Sequence, residues 1–105
     1  MIGIDLSGLR LSGTLPSIME LPEKLQSLDL SFNSLSGSVP LTLFGIDLLR
    51  VLKLNNNRFI GTVPALLSTL PSLQTLDLST NAFSGELPAS MCAIKNVTMT
   101  GNGYL

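Results

Sequence analysis

The sequence has no histidine and no tryptophan, a single cysteine, and few charged residues, which make up 12% of its 105 residues. Without histidine, no Ser-His or Cys-His pair is available for nucleophilic catalysis. No G-x-x-x-x-G-K-[ST] or G-x-G-x-x-G motif is present to bind phosphate. The net charge of −1 gives no electrostatic basis for binding nucleic acid or an anionic membrane. We therefore expect neither an enzyme nor a nucleic-acid-binding protein.

The abundant feature is a repeat with a step of 24 residues. Four glycines, four prolines and four leucines recur at this step: Gly13, Gly37, Gly61 and Gly85; Pro16, Pro40, Pro64 and Pro88; Leu6, Leu30, Leu54 and Leu78. Asn33, Asn57 and Asn81 keep the same step, and Leu9 stands where a first asparagine would be. Self-similarity of this length, with the spacing L-x-x-L-x-L-x-x-N-x-L, is typical of a leucine-rich-repeat solenoid.

One repeat, residues 25–48, shows the local structure expected of each. Leu28 and Leu30 alternate with polar residues, which predicts a strand buried on one face. The segment 35–37 is interpreted as a turn, and Leu43 and Ile46 then predict one turn of 3₁₀ or α-helix. We predict one domain, 1–105, with repeats at about 1–24, 25–48, 49–72 and 73–96. A degenerate terminal turn follows at 97–105, with Thr100 and Asn102 in its leucine positions.

The end of each repeat carries a more specific signature: LSGTLP, LSGSVP, FIGTVP and FSGELP. These segments resemble the L-x-G-x-I-P signature of the plant-specific leucine-rich-repeat family. That family includes ectodomains of receptor-like kinases and receptor-like proteins, and secreted polygalacturonase inhibitors. The resemblance implies an α/β solenoid, a right-handed superhelix with a parallel β-sheet on its concave side and short 3₁₀ or α segments on its convex side.

The resemblance also implies an extracellular or cell-surface location, with a membrane anchor in the full-length protein. No run of eighteen apolar residues is present, so direct membrane insertion by this chain is not expected. Met1 leads directly into repeat sequence without a signal peptide. We therefore expect the chain to be a piece of a longer protein.

The asparagines Asn33, Asn57 and Asn81 are interpreted as a structural ladder. Each follows a strand where the chain must bend, and a buried amide there needs hydrogen-bond partners, which neighbouring backbone groups can supply. The ladder is therefore not assigned to ligand binding.

Binding residues are predicted on the concave face, where alternate strand residues point outward. The candidates are Asp29, Ser31, Phe32, Val51, Lys53, Asn55, Asn56, Thr75 and Asp77. Phe32 is the only aromatic among them, either an interface anchor or a ring that folds sideways over a neighbouring repeat. Lys53 lies between two aspartates, either as charge compensation or as a polar contact for a ligand. Because it interrupts the aspartates, we expect no metal site, and no cofactor is indicated.

Two further positions allow alternative interpretations. Cys92 has no partner within the chain; it either packs as a small apolar residue of the convex segment or pairs with a cysteine outside this sequence. Asn96-Val97-Thr98 is the only N-x-[ST] sequence, so Asn96 is a glycosylation candidate.

The predicted function is recognition of a protein or peptide ligand, with a co-receptor as a further expected partner. The alternatives are a secreted inhibitor of a cell-wall hydrolase, similar to the polygalacturonase inhibitors, and a structural spacer within a larger receptor. Repeat proteins need polar terminal turns, yet Ile2, Ile4 and Leu6 begin the stack at once. We therefore expect self-association through this uncapped N-terminal turn, and a better closed C-terminal end.

Overall fold

The computed structural model describes residues 2–16 and 20–103. Over these residues the chain forms short strands that alternate with 3₁₀ helices. The strands are β1 (Gly3–Asp5), β2 (Ser12–Thr14), β3 (Ser27–Asp29), β4 (Ser34–Gly37), β5 (Val51–Lys53), β6 (Arg58–Thr62), β7 (Thr75–Asp77), β8 (Ala82–Ser84) and β9 (Asn96–Thr98). The 3₁₀ helices are η1 (Leu41–Gly45), η2 (Ala65–Thr69) and η3 (Ala89–Ala93). Residues 1 and 105, the ends of the predicted domain, lie outside the described ranges.

The odd-numbered strands form one parallel sheet, the first sheet, in the order β1-β3-β5-β7-β9. Ser27 pairs with Val51, and Val51 with Thr75, so neighbouring strands contribute residues 24 apart. The same register places Leu28, Leu52 and Leu76 side by side, and none is more than 2% exposed. The parallel sheet predicted from the leucine spacing is confirmed.

In the second, third and fourth turns a 3₁₀ helix follows the proline of the repeat. Pro40, Pro64 and Pro88 precede η1, η2 and η3 directly, with extended backbone at ψ of 127–144°. A proline suits this place because it has no N–H to satisfy and its φ is already restricted. The helices bury Leu43, Leu67 and Met91 against the strands. The predicted short helical segments are therefore present.

The core is a column of stacked side chains between the first sheet and the helices. Leucines fill most of it, and a second set of inward residues contains Leu35, Phe59 and Phe83. The two phenylalanine rings are fully buried, with centroids 6.3 Å apart and planes 11° from parallel. Burial of each such side chain contributes about 1.5–3 kcal/mol, so the repeated core stabilises turns that are too small to fold alone.

A second parallel sheet, formed by β2, β4, β6 and β8, was not predicted. The segment 35–37 was interpreted as a turn, but it belongs to strand β4. Neighbouring strands here pair residues 22 apart: Gly37 lies opposite Phe59, and Gly61 opposite Phe83. Gly37 has a φ of 79°, and a Cβ there would lie 2.9 Å from the Thr14 Cγ2. Both the backbone and the space therefore require glycine at the end of β4.

The terminal turn differs from its predicted register. Thr75 pairs with Asn96, only 21 residues further on, and Leu76 pairs with Val97. The expected leucine positions at Thr100 and Asn102 are therefore wrong: Val97 and Met99 take them, and both pack partly buried against the core. Ile94 lies 24 residues after Leu70 and 21 after Leu73, so one buried residue takes the place of these two and the turn is three residues shorter.

Both ends of the stack expose apolar surface. At the N-terminal end Ile2, Leu6 and Leu9 are 47%, 37% and 56% exposed. The C-terminal end was expected to be better closed, but it contains an apolar cavity of about 350 Å³. Its lining includes Leu87, Met91, Cys92, Val97 and Met99. Val97 and Met99 are nevertheless half-buried at this end, whereas Leu6 and Leu9 are exposed at the other, so the expected difference between the two ends stays a prediction.

Candidate functional site

The predicted ladder asparagines lie between neighbouring turns and bond to backbone groups of both. The Asn57 Nδ2 donates to the carbonyl oxygens of Leu30 and Leu54 at 2.9 and 3.2 Å. Its Oδ1 accepts the N–H of Leu35 at 3.0 Å. Asn33 and Asn81 repeat this arrangement one turn earlier and one turn later. Each amide therefore uses its donor and its acceptor inside the protein, so these groups are occupied within the fold.

A fourth asparagine, Asn102, belongs to the same ladder and was missed. Its Oδ1 accepts the Phe83 N–H at 3.1 Å, and its Nδ2 donates to the Leu78 oxygen at 2.9 Å. The 24-residue step hides it, because the last turn is shorter. The spacing Met99-x-x-Asn102, the same as Leu30-x-x-Asn33, is the sequence signal that identifies it.

The outward face of the first sheet carries a repeated pair of aspartate and serine. The Asp29 Oδ1 accepts the backbone N–H of Ser31 at 2.9 Å and its hydroxyl. Asp77 and Ser79 repeat this pair at 3.0 and 2.6 Å, and Asp5 and Ser7 at 2.9 and 2.6 Å. Each pair ties the carboxylate to the chain just after its strand.

Hydrogen bonding also changes the acidity of Asp5 in this row. The Ser7 hydroxyl, and then the Ser7 backbone N–H, hold the pKa of the Asp5 carboxyl below its ordinary value. The positive charge of Lys53 lowers this pKa further as a weaker contribution. All three favour the charged carboxylate.

The third turn interrupts this pattern. Lys53 lies opposite Asp29 on one side and opposite Asp77 on the other, so a lysine stands where both neighbouring turns have an aspartate. Two residues later, Asn55 stands where those turns have a serine. The Asn55 Nδ2 donates to the Asn56 Oδ1 at 2.9 Å. Among the described residues, the Asn55 Oδ1 is the one buried side-chain polar atom without a hydrogen-bond partner. The third turn therefore has an unsatisfied acceptor where its neighbours have closed pairs.

Two of the predicted binding residues are not on the accessible surface. Ser31 is 4% exposed and Asn55 is 8% exposed, so the expectation that both lie exposed on the concave face is wrong. Of the other candidates, Lys53 is exposed, whereas Asp29, Val51, Asn56, Thr75 and Asp77 are half-buried.

Phe32 is the largest exposed side chain on this side of the molecule, at 62% exposure. Its backbone has a φ of 56°, which is unusual for a bulky residue. In the first turn, a Cβ added at Gly8 would meet no atom within 4 Å, so the ring does not cover that position. Exposure of this size argues against the ring packing sideways and leaves it available for contact.

The remaining predicted positions lie near the C-terminal end. Asn96 is exposed on β9, in the row of Val51 and Thr75. Cys92 is an exposed free thiol on η3, which contradicts its interpretation as a small apolar residue that packs within the convex segment. Within residues 2–16 and 20–103, no group of three or more His, Cys, Asp or Glu side chains is arranged to hold a metal ion. In the same part of the chain, no helix has the length and apolar character needed to cross a membrane.

Solved structures similar to this chain include plant receptors and receptor-kinase ectodomains. The ectodomain of the Arabidopsis thaliana receptor kinase SOBIR1 matches with a TM-score of 0.84 and 29% identity, over 96% of this chain and 57% of that one. The plant peptide hormone receptor RGFR1, in complex with RGF2, matches with a TM-score of 0.90 and 37% identity, over 99% of this chain and 17% of that one. The chain therefore spans less than two thirds of either structure.

A third similar structure contains both a ligand and a second receptor. It is the Arabidopsis receptor kinase HAESA in complex with the peptide hormone IDA and the co-receptor SERK1. It matches with a TM-score of 0.80 and 39% identity, over 91% of this chain and 16% of that one. No curated protein sequence matches significantly. A family profile described as leucine rich repeat matches residues 23–83, more than half of the chain, so this chain belongs to the leucine-rich-repeat family.

Proposed function

We propose that this chain is a non-enzymatic recognition module, part of a plant receptor ectodomain that binds a peptide or protein ligand. The observation that carries this proposal is Phe32, an aromatic side chain 62% exposed on the face where neighbouring turns present half-buried polar residues. Exposed aromatic residues surrounded by polar groups are typical anchors of protein interfaces. The similarity to RGFR1 and HAESA, both solved with peptide hormones, supports the same conclusion.

The physical character of the face supports a peptide rather than a small molecule. Alternate residues of five parallel strands line it, and the described cavity of about 350 Å³ lies at the C-terminal end instead. Small ligands favour concave apolar pockets, whereas a row of hydroxyl, carboxylate and amide groups suits the many hydrogen bonds of an extended chain. The residues proposed to make contact are Asp29, Phe32, Val51, Lys53, Asn56, Thr75 and Asp77.

A co-receptor and an extracellular location form the finer part of the proposal. HAESA is solved with the co-receptor SERK1, and the similar structures are receptor ectodomains. We infer a location outside the cell or at its surface, where glycosylation of the exposed Asn96 is possible. The inhibitor of a cell-wall hydrolase is the less favoured function, since these similar structures are receptors.

The test uses a displayed library of random twelve-residue peptides, selected on the 105-residue chain. Phe32→Ala should weaken binding of the selected peptides about thirtyfold, the loss typical of a hot-spot residue, and Lys53→Ala should weaken it less. Leu66→Ala, on η2 and 50% exposed, is the matched apolar control. Arg58→Ala, on β6 of the same turn, is the matched cationic control. If the controls weaken binding more than Phe32→Ala, the ligand binds elsewhere and the spacer function gains support.

For the isolated chain we also propose self-association through its N-terminal turn. Ile2, Leu6 and Leu9 are exposed there, and β1 pairs with β3 on one side only. An unpaired strand edge beside apolar side chains is a template for association. Ile2→Lys together with Leu9→Lys should shift the chain to monomer in sedimentation velocity. A wild-type chain that stays monomeric at high concentration contradicts this part of the proposal.

A further inference from the structure

The third turn contains a buried side-chain acceptor that has no hydrogen-bond partner among the described residues. Asn55 is 8% exposed, and its Oδ1 is buried without a hydrogen-bond partner. Buried polar atoms in folded proteins are nearly always paired. An atom that departs from this rule therefore requires a physical explanation.

The neighbouring turns explain why the acceptor stays free. Ser31 and Ser79 occupy the equivalent positions on either side, and each has one hydroxyl proton. Ser31 gives that proton to Asp29, and Ser79 gives its proton to Asp77. Neither hydroxyl can then donate to Asn55, whose own amide nitrogen donates to Asn56.

Phe32 and Asn55 are connected through the backbones of neighbouring turns. The Phe32 N–H donates to the main-chain carbonyl oxygen of Asn55 at 3.0 Å, so the exposed ring and the buried side-chain amide belong to adjoining positions of the two turns. Phe32 and Asn56 share a left-handed backbone, with φ of 56° and 57°. Phe32, Asn55 and Asn56 thus combine an apolar contact, a free acceptor and a second amide.

We propose that Phe32, Asn55 and Asn56 form a specific peptide-binding subsite. An extended peptide would donate one main-chain or side-chain N–H to the Asn55 Oδ1 and pack a non-polar side chain on Phe32. Because the amide oxygen is buried, Asn55 must turn outward from its bond to Asn56 when the peptide binds. This inference rests on the proposed recognition function and identifies the residues of the face that determine which peptides bind.

The subsite also explains why the third turn departs from its neighbours. In the second turn the Ser31 N–H and hydroxyl both donate to Asp29, whereas in the third turn the equivalent residue, Asn55, keeps an unpaired oxygen. Such an arrangement lowers stability in the free protein and gains a partner only in the complex. Loss of stability in exchange for binding is a common property of functional sites.

The decisive variant, Lys53→Asp with Asn55→Ser, gives the third turn the aspartate–serine pair of the second. It should raise the melting temperature by several degrees, because the unpaired acceptor is replaced by a closed pair. Peptides selected on the wild-type chain from the random twelve-residue library should bind it at least about tenfold more weakly, the equivalent of one hydrogen bond. Arg58→Asp with Ile60→Ser is the control, with the same charge change and similar substitutions on β6 of the same turn.

A second variant tests the subsite even if the first variant fails to fold. Asn55→Leu keeps the size of the side chain and Lys53, and removes only the amide, so it should fold and also lose peptide binding. If both Asn55 variants fold and bind the peptides as the wild type does, while Phe32→Ala does not, the subsite is wrong and the recognition function stands. If no peptide is selected on the wild-type chain, both proposals fail.

Discussion

Asn55 and Asn57 are the same residue two positions apart in one turn, and the structure treats them in opposite ways. Asn57 lies in the ladder, where its amide bonds to Leu30, Leu35 and Leu54. Asn55 lies in the adjoining row, where its Oδ1 has no partner although 92% of the residue is buried. The difference arises from what surrounds each amide: backbone groups in the ladder, and side chains already in use in the row.

The comparison separates two ways in which a repeat protein uses polar residues. Backbone groups recur identically in every turn, so a ladder asparagine finds its partners wherever the repeat places it. Side-chain partners change from turn to turn, so a residue in the outward row depends on its particular neighbours. The ladder asparagines therefore stabilise the fold. Residues of the outward row can change to suit a ligand while the fold is kept.

Asn57→Ala should have the largest effect of the changes that test this comparison. It leaves the buried Leu35 N–H without its acceptor, whereas the Leu30 carbonyl keeps the Asn33 amide as a donor. One orphaned backbone group costs about 1–3 kcal/mol, so we expect a loss of about that size in the free energy of unfolding, measured by urea denaturation. A loss below that of an ordinary surface substitution would show that the ladder is not what holds adjoining turns together.

Asn55→Ala should cost much less, under about 1 kcal/mol in the same measurement. The substitution loses one hydrogen bond to Asn56, but it also removes the unpaired Oδ1, and these effects oppose each other. The buried position makes this a stricter test than a change at an exposed residue. Equal losses for Asn55→Ala and Asn57→Ala would remove the distinction between ladder and row.

The smallest effect concerns the pair formed by Asp5 and Ser7 in the first turn. Because the folded-state pKa of Asp5 is lowered, its contribution to stability is present above the unfolded-state value and is lost as the pH falls through the folded-state pKa. Ser7→Ala removes the largest cause and should return the pKa toward its ordinary value. An NMR pH titration of the Asp5 carboxyl carbon checks this.

The matched control for this titration is Ser12→Ala, an exposed serine of the second sheet. It should leave the titration of Asp5 unchanged. If Ser7→Ala also leaves it unchanged, hydrogen bonding within the aspartate–serine pair does not set the acidity of this row.

The features predictable from sequence are those that every turn repeats. Leucine spacing predicts the register of the first sheet, and the residues after Pro40 and Pro64 predict helices η1 and η2. The register of the last turn could not be predicted in this way, because that turn is three residues shorter and Met99 and Asn102 do not follow the 24-residue step. The second sheet could not be predicted either, because its strands are only three to five residues long and contain glycines such as Gly37 and Gly61, which is the composition of a turn.

The binding face shows the same limit at the level of side chains. Period-2 alternation places Lys53 and Asp77 outward, and the structure agrees. It also places Ser31 and Asn55 outward, but both lie just after their strand and are buried. The unpaired oxygen of Asn55 depends on the protons of Ser31 and Ser79, which no single repeat specifies.

The two sheets have different registers, and this difference has a consequence for shape. Equivalent residues are 24 apart, and the first sheet pairs them directly, whereas the second sheet pairs residues 22 apart. Equivalent positions there advance by two residues per turn, about 6.6 Å along the strand direction. Rows of equivalent side chains therefore run straight across the first sheet and obliquely across the second. Equivalent residues of successive turns are therefore farther apart in the second sheet than in the first. Translation alone cannot relate the turns, so each added turn is also rotated and the stack twists.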